Sequence, residues 1–186
     1  FVKDYYEPWT QARVSLSNDG CGKRGEFIRY GYSDRKWINT AQRLKQLDSE
    51  TKNVSVQSCI NSFNVLALDE TVEFVDQHVG LKQTAFGPWT SDSLTTVASL
   101  GAVDPWFKQS ALELLYKWRD QTWYSTLGDI ISNVEQTQPM EQWKQQQYAR
   151  KFVAAIRSLD SKRRVTLSEA WPELIDVMLR LEQLGK

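Results

Sequence analysis

Residues 15–31, SLSNDGCGKRGEFIRYG, contain side chains whose types and spacing suit the binding of a polar ligand. Ser17 offers a hydroxyl and Asp19 a carboxylate, while Arg29 offers a planar guanidinium that can pair with a carboxylate through two parallel hydrogen bonds. Such groups bind ligands when they lie at the end of a strand, where loop amides and side chains converge. The segment is therefore the first candidate site in the chain.

The same residues also fit a purely structural interpretation. Asp19-Gly20 is a typical turn pair, and Ser17 is also of a type that caps or turns the backbone. Arg29 is close enough in sequence to Glu26 for the two to brace a local turn. From residue types alone, both interpretations stay open.

A second polar group accompanies the predicted strand VSVQSCI (54–60). Gln57 lies within this strand, and Asn61 and Asn64 follow its end. Turn formation is the commoner role of asparagine at such positions, and ligand contact is the alternative.

The cysteines and the histidine predict no chemistry of their own. Cys21 and Cys59 are too far apart for a metal-ligand motif and too few for a disulfide framework, so we interpret them as inert small residues. Sparse cysteine usage is typical of a reducing cytoplasm, which is the expected location. His78, the one histidine, has no partner pattern.

The composition excludes several classes of protein. The 186 residues are 41% hydrophobic and 25% charged, as in ordinary globular domains. Basic and acidic residues number 23 each, a balance that argues against a general nucleic-acid binder. The dense basic run at 162–164 is typical of a solvated helix end. No uninterrupted apolar stretch is long enough for a transmembrane helix, and the first residues do not resemble a signal peptide, so no membrane partner is expected.

The elements that must position these side chains begin with three predicted strands. The segments ARVSLS (12–17), VSVQSCI (54–60) and KQTAF (82–86) are short, apolar or β-branched, and bounded by breakers. Helical periodicity separates them. One helix is predicted from Ser33 or Asp34, after a loop, and a second over a stripe from Leu68 to Val79. Strands joined by crossover helices predict a parallel sheet and therefore an α/β fold.

The remaining sequence, from residue 90, predicts helices and no strands. Asp104-Pro105 is a typical helix start, with a capping carboxylate followed by proline in the first turn. Further helices are predicted over 139–159 and from Ser168 to Leu184. We therefore divide the chain into an α/β part, 1–89, and a helical extension, 90–186.

The segment 15–31 resembles the fourth strand and following loop of radical S-adenosylmethionine (SAM) proteins. The elements that carry this resemblance are the strand ending in Ser-x-Asp-Gly and the later Glu-Phe-Ile-Arg-Tyr-Gly. The segment 54–75 resembles the fifth strand and its Asn-Val-Leu turn, and 167–178 resembles a closing helix with Pro-Glu-Leu. The resemblance is closest to the twitch-domain-containing group common in phage and marine bacterial sequences. It touches most of the chain, but 90–158 only in helical character.

The resemblance implies a fold and a set of ligand contacts. The chain would be the second half of a partial (β/α)6 radical SAM barrel, with three parallel strands and crossover helices, followed by an α-helical extension. SAM would be the cofactor, with its carboxylate paired to Arg29 and its ribose or carboxylate bonded to Ser17. Asp19 and Gln57 would belong to the same SAM-side surface, with Asn61 or Asn64 on the adenine side. The substrate would be a small molecule or a peptide.

The sequence departs from this family at one decisive motif. Radical SAM enzymes hold a 4Fe-4S cluster on C-x3-C-x2-C, and a Gly-Gly-Glu binds the SAM amino group; neither motif is present. We therefore expect the chain to be a C-terminal fragment whose cluster ligands lie outside it. The intact protein would cleave SAM reductively to a 5′-deoxyadenosyl radical, and this chain alone would be inactive. The alternative is a non-enzymatic α/β-helical protein-interaction module, with the same loop only shaping a surface.

Overall fold

The computed structural model describes residues 14–51, 54–80, 84–88, 94–120, 124–125 and 127–186. Within these ranges, no helix combines the length and the apolar character that crossing a membrane requires. The predicted strand starts at 12–13 and 82–83 lie outside the described residues, as does the boundary predicted at 89/90.

The sheet is parallel throughout. Its strands are β1 (Val14–Ser17), β2 (Val54–Ile60), β3 (Thr84–Pro88) and β4 (Tyr124–Ser125), and they lie side by side in that order. Val14 pairs with Val54, Val56 with Thr84, and Ala85 with Tyr124. The predicted α/β class is confirmed. The two-residue strand β4 corrects the expectation that no strand follows residue 89, because so short a segment carries no periodic signal.

Two helices cover one face of the sheet. These are α2 (Asp34–Thr51) and α3 (Leu68–His78), which begin close to their predicted positions. A small apolar cluster joins them to the strands; its buried members are Trp37, Ala41, Val56, Val75 and Val79. The inward residues of β1 and β2 alternate with outward ones, as the pleat of a strand requires.

The opposite face of β1 and β2 is polar and largely open. Ser15, Ser17 and Gln57 are exposed on it, and Ser55 and Cys59 are half-buried. A parallel sheet is normally covered on both faces. In the described part of the chain, this side of β1 and β2 therefore lacks the apolar side chains that a packed helix layer would bury.

A helix not expected from the sequence, α1 (Gly22–Ile28), lies in the segment predicted as a loop. Glycine at two of its seven positions gives it a poor intrinsic propensity. Gly25 is required by packing, because a Cβ there would lie 2.4 Å from Cε1 of Tyr32. Contacts with distant parts of the chain therefore determine this helix.

The C-terminal part is helical. Its helices are α4 (Val97–Gly101), α5 (Pro105–Trp118), α6 (Leu127–Gln136), α7 (Gln142–Asp160), α8 (Leu167–Ala170) and α9 (Ile175–Leu184). Asp104 caps α5 as predicted, accepting a hydrogen bond from the backbone N of Phe107 at 2.9 Å. The single helix predicted from Ser168 is divided, because Pro172 forces Trp171 out of helical geometry and opens a short 3-10 turn, Pro172–Leu174.

The larger apolar core crosses the predicted boundary between the two parts. Phe27, Ile60 and Leu68 of the α/β part belong to the same buried cluster as Phe107 and Trp171 of the helical part. Phe63 stacks at 6.2 Å, centroid to centroid, on Phe152. The helices thus pack directly on the segments that follow β1 and β2.

Candidate functional site

The turn after β1 is fastened to β2 by a buried carboxylate. Asp19 is 3% exposed, and its Oδ1 accepts a hydrogen bond from the backbone N of Cys59 at 2.9 Å. Its Oδ2 accepts from Nε of Arg29 at 2.9 Å and also from Nη2 of Arg29. Asp19 therefore joins the turn after β1 to the end of β2 and to the residue that follows α1.

Arg29 lies just after α1, and the pair with Asp19 uses only part of its guanidinium. Its side chain is 40% exposed, and Asp19 occupies one edge of the guanidinium. The structural alternative of pairing with Glu26 is wrong in its partner, because the carboxylate that Arg29 contacts is Asp19. Within the described residues, Nη1 makes no hydrogen bond, so the outer edge of the fork is available to a ligand carboxylate.

Asn61 and Asn64 form a closed turn at the end of β2. Asn64 Nδ2 donates to the carbonyl oxygens of Asp19 at 3.2 Å and Cys59 at 2.8 Å. Its Oδ1 accepts from the backbone N of Asn61 at 2.8 Å, and Asn61 Oδ1 accepts from the backbone N of Phe63 at 2.9 Å. Both side chains are buried. Both side chains therefore shape the turn, and the adenine-side contact of Asn61 or Asn64 stays a prediction.

Ser17 and Gln57 lie directly opposite each other on the neighbouring strands β1 and β2. Both side chains are exposed on the open polar face. Among the described residues, the hydrogen bonds beyond the strand ladder are to their backbones: Trp37 Nε1 donates to the Ser17 carbonyl at 3.0 Å, and the Asn18 backbone N donates to the Gln57 carbonyl at 3.0 Å. Their hydroxyl and amide groups therefore remain available at the sheet surface.

Asn18 and Tyr32 also belong to the site, although neither is among the residues predicted from the sequence. Asn18 is fully buried; its Nδ2 donates to the Tyr32 hydroxyl at 3.4 Å, and its Oδ1 accepts from the backbone N of Gly20 at 3.2 Å. Burial, followed by the charge of Asp34, raises the pKa of Tyr32 far above its usual range. The cue in the sequence is Asn18 directly in front of the Asp19-Gly20 turn pair.

Arg24 anchors α1 to the rest of the molecule. Its Nε and Nη2 each donate to a carboxylate oxygen of Glu70 at 2.8 Å, and its Nη1 donates to Glu173. The guanidinium also lies over the ring of Trp171, 4.7 Å from the centroid. Glu70 lies in the segment 54–75 and Glu173 in the segment 167–178, so Arg24 contacts both of the other segments that carry the resemblance.

The two cysteines lie in environments that disfavour thiolates. Burial, with the charges of Asp34 and Glu70, raises the pKa of Cys21 to about 11. Burial, followed by the charge of Asp19, also raises the pKa of Cys59. Among the described residues, no group of three or more His, Cys, Asp or Glu side chains is arranged to hold a metal ion.

The arrangement can bind a polar ligand at the carboxyl ends of β1 and β2. It offers the outer edge of one guanidinium, one hydroxyl and one amide beside an open face. Comparison of the chain with protein-family models, with curated proteins and with solved structures found no match.

Proposed function

We propose that this chain forms the C-terminal part of a radical SAM barrel and that the carboxyl ends of β1 and β2 bind SAM. The observation that carries the proposal is the Asp19–Arg29 pair. A buried carboxylate holds a guanidinium at the end of a parallel strand, with one edge of the fork left over. That edge would take the SAM carboxylate, and Asp19 would position Arg29.

The open polar face of β1 and β2 supports the same proposal. In a closed barrel of parallel strands, the helices lie outside and the inner face points into the lumen. Here α2 and α3 cover one face, while Ser17 and Gln57 are exposed on the other. We propose that this open face is the lumen side of a partial (β/α)6 barrel, and that further strands would come from sequence outside residues 1–186.

The described residues fit SAM but not an iron-sulfur cluster. Arg29 and Ser17 offer a cation and a hydroxyl that suit the amino-acid end and the ribose of SAM. The cysteines provide no cluster ligands, so a C-x3-C-x2-C motif and a Gly-Gly-Glu would have to be supplied from elsewhere. A radical SAM centre supplies reductive cleavage of SAM to a 5′-deoxyadenosyl radical. This chain's residues would bind and orient SAM for a small-molecule or peptide substrate.

Calorimetric titration of two related ligands tests the role assigned to Arg29. Arg29→Ala should weaken SAM binding about ten- to a hundred-fold, because a charged hydrogen-bonded pair is lost. Binding of 5′-methylthioadenosine, which lacks the amino-acid carboxylate, should change less than about two-fold. Arg29→Lys should recover part of the loss, since it keeps the charge but not the fork.

Ser17→Ala should cost less, about 0.5–1.5 kcal/mol of SAM binding, because only a neutral hydroxyl is lost. Arg43→Ala on the exposed side of α2 is the matched control. The experiment should use the protein together with any coding sequence found in frame upstream of residue 1. Equal losses for the two ligands in Arg29→Ala would show that the variant disturbs the loop and that Arg29 does not contact the carboxylate.

The second candidate is a non-enzymatic interaction module. It is favoured by the internal bonding of Asn64, whose amide donates to two backbone carbonyl oxygens and accepts from the backbone N of Asn61. It is also favoured by the 61% exposure of Trp143 in the helical part. An in-frame C-x3-C-x2-C upstream of residue 1 would support the enzyme, and a start codon close to residue 1 would support the module.

A further inference from the structure

A polar pocket of about 240 Å³ lies beside the candidate site, on the loop that follows α1. Its lining comes from two distant segments: Glu26, Tyr30, Gly31 and Tyr32 on one side, and Arg163 and Arg164 on the other. The two arginines belong to the turn between α7 and α8. Folding therefore brings the basic run of the sequence against an aromatic loop.

The guanidinium groups of this pocket have unused hydrogen-bonding capacity. Arg163 donates from Nη2 to the carbonyl oxygen of Ile28 at 3.4 Å, a long bond, and its Nε is buried without a partner. Among the described residues, the ion pairs include neither Arg163 nor Arg164. Arg163 is half-buried and Arg164 is exposed. Since a half-buried guanidinium normally has an anionic or hydrogen-bonding partner, Arg163 suits an added anion, and Arg164 adds a second positive charge beside it.

The aromatic wall suits a planar group attached to that anion. Tyr30 is 85% exposed, an unusual degree for a large aromatic side chain, and the Arg163 guanidinium lies 5.9 Å from the centre of its ring. A ring placed against Tyr30 would bury apolar surface that now faces water. Glu26 adds one negative charge to the lining, against the two positive charges of the arginines.

We propose that this pocket is a binding site for a phosphate monoester carried on a planar group. Arg163 and Arg164 bind the phosphate oxygens, and Tyr30 packs on the planar group. Arginine is the residue that best matches phosphate geometry, and a dianion is favoured where two cations face one carboxylate. The site goes beyond the proposed SAM function and does not depend on it. The two sites adjoin, because Tyr32 lines the pocket and accepts a hydrogen bond from Asn18 beside Asp19.

Calorimetric titration of phenyl phosphate into the protein at low salt tests the proposal. We expect saturable binding with a Kd at or below about 1 mM, the range that two charge-assisted contacts can supply. Arg163→Gln and Arg164→Gln should each weaken it about ten-fold or more, and Arg163→Lys should weaken it less than Arg163→Gln. Lys162→Gln is the matched control, because it removes the same charge from the same turn but does not line the pocket.

Two further substitutions should change the affinity for phenyl phosphate in opposite directions. Glu26→Gln should tighten binding by a few-fold, since it removes a negative charge from the pocket wall. Tyr30→Ser should lower the affinity for phenyl phosphate to that for inorganic phosphate, because the ring contact is lost.

If Arg163→Gln unfolds, Arg164→Gln still tests the proposal, because the Arg164 side chain makes no hydrogen bond to the described residues. Melting temperatures show whether each variant is folded. No saturation at about ten times the expected Kd would overturn the proposal. Equal weakening by Lys162→Gln and Arg164→Gln would also overturn it, by showing that only general charge attraction acts.

Discussion

At the scale of single residues, the polar side chains at the ends of β1 and β2 have two roles. Asp19, Asn61 and Asn64 are buried and bond to backbone groups, so they hold the ends of β1 and β2 together. Arg29 and Ser17 keep groups exposed beside the sheet. Ligand contact is therefore proposed only for the exposed set, and the buried set positions it.

Asn64→Ala should strongly destabilise the protein. The change removes one side chain that bonds the carbonyl oxygens of Asp19 and Cys59 and the backbone N of Asn61. Each buried group left without a partner costs about 1–3 kcal/mol, and we expect a loss within or above this range. Urea denaturation measures it.

The matched control for this prediction is Asn133→Ala, which removes the same side chain from an exposed position on α6. It should change the free energy of unfolding by less than about 0.5 kcal/mol. A similarly small change for Asn64→Ala would mean that water or a local shift replaces the three bonds.

At the scale of elements, two short helices depend on contacts outside themselves. The helix α1 is held by Arg24 and by the close approach of Gly25 to Tyr32. The four-residue α8 has a capping box, in which Thr166 and Glu169 satisfy each other's backbone N–H groups. Lys23 of α1 also pairs with Glu169 at 3.0 Å, so the two helices stabilise one another.

The capping box predicts a pH-dependent contribution from Glu169. The backbone N–H of Thr166, followed by Lys23 and the Thr166 hydroxyl, lowers the pKa of Glu169 to about 2. Because the folded-state pKa lies below the unfolded value of about 4.3, the stabilisation is fully present above about pH 5. It is lost as the pH falls through about 2, because below that pH the carboxylate is protonated in both states.

The free energies of unfolding of the parent and of Glu169→Gln should therefore differ most above about pH 5. This difference should become smaller as the pH is lowered. Urea titrations at a series of pH values measure this difference. In a Thr166→Ala background the pH-dependent part should be smaller, because one hydrogen-bond donor to the carboxylate is gone. A difference that stays constant with pH would contradict the prediction.

At the scale of the whole molecule, the two predicted parts share one core. Phe27, Ile60 and Phe63 from the first part pack in the same cluster as Phe107 and Phe152 from the second. Burial of apolar surface is the main stabilising contribution to folding. Either part on its own would expose the apolar surface that it now buries against the other.

Separate production of residues 94–186 tests this dependence. We expect the piece to lose the cooperative thermal transition of the whole chain, because its helices would expose the apolar faces that now cover the α/β segments. Circular dichroism melting follows the transition, with the intact chain as the control. An equally sharp melt for residues 94–186 would show that the helical part is an independent domain.

Local patterns in the sequence were enough to predict the α/β class, the strand at 54–60 and the capped start of α5 at Asp104. Strand alternation, helical periodicity and caps are properties of neighbouring residues, so they are readable without a structure. They were not enough for α1, whose glycines disfavour a helix, or for the break that Pro172 introduces. They also offered Glu26 as the partner of Arg29, and they left the turn and ligand roles of Asn61 and Asn64 both open.

Only the tertiary structure decided those points, because they depend on groups brought together from distant segments. Arg24 reaches Glu173 across most of the chain, Asp19 reaches the backbone of Cys59, and Arg163 reaches the last residue of α1. Which face of the sheet stays open, and which arginines remain without a carboxylate partner, follow from packing and long-range electrostatics. A sequence determines these outcomes physically, but no short-range pattern encodes them.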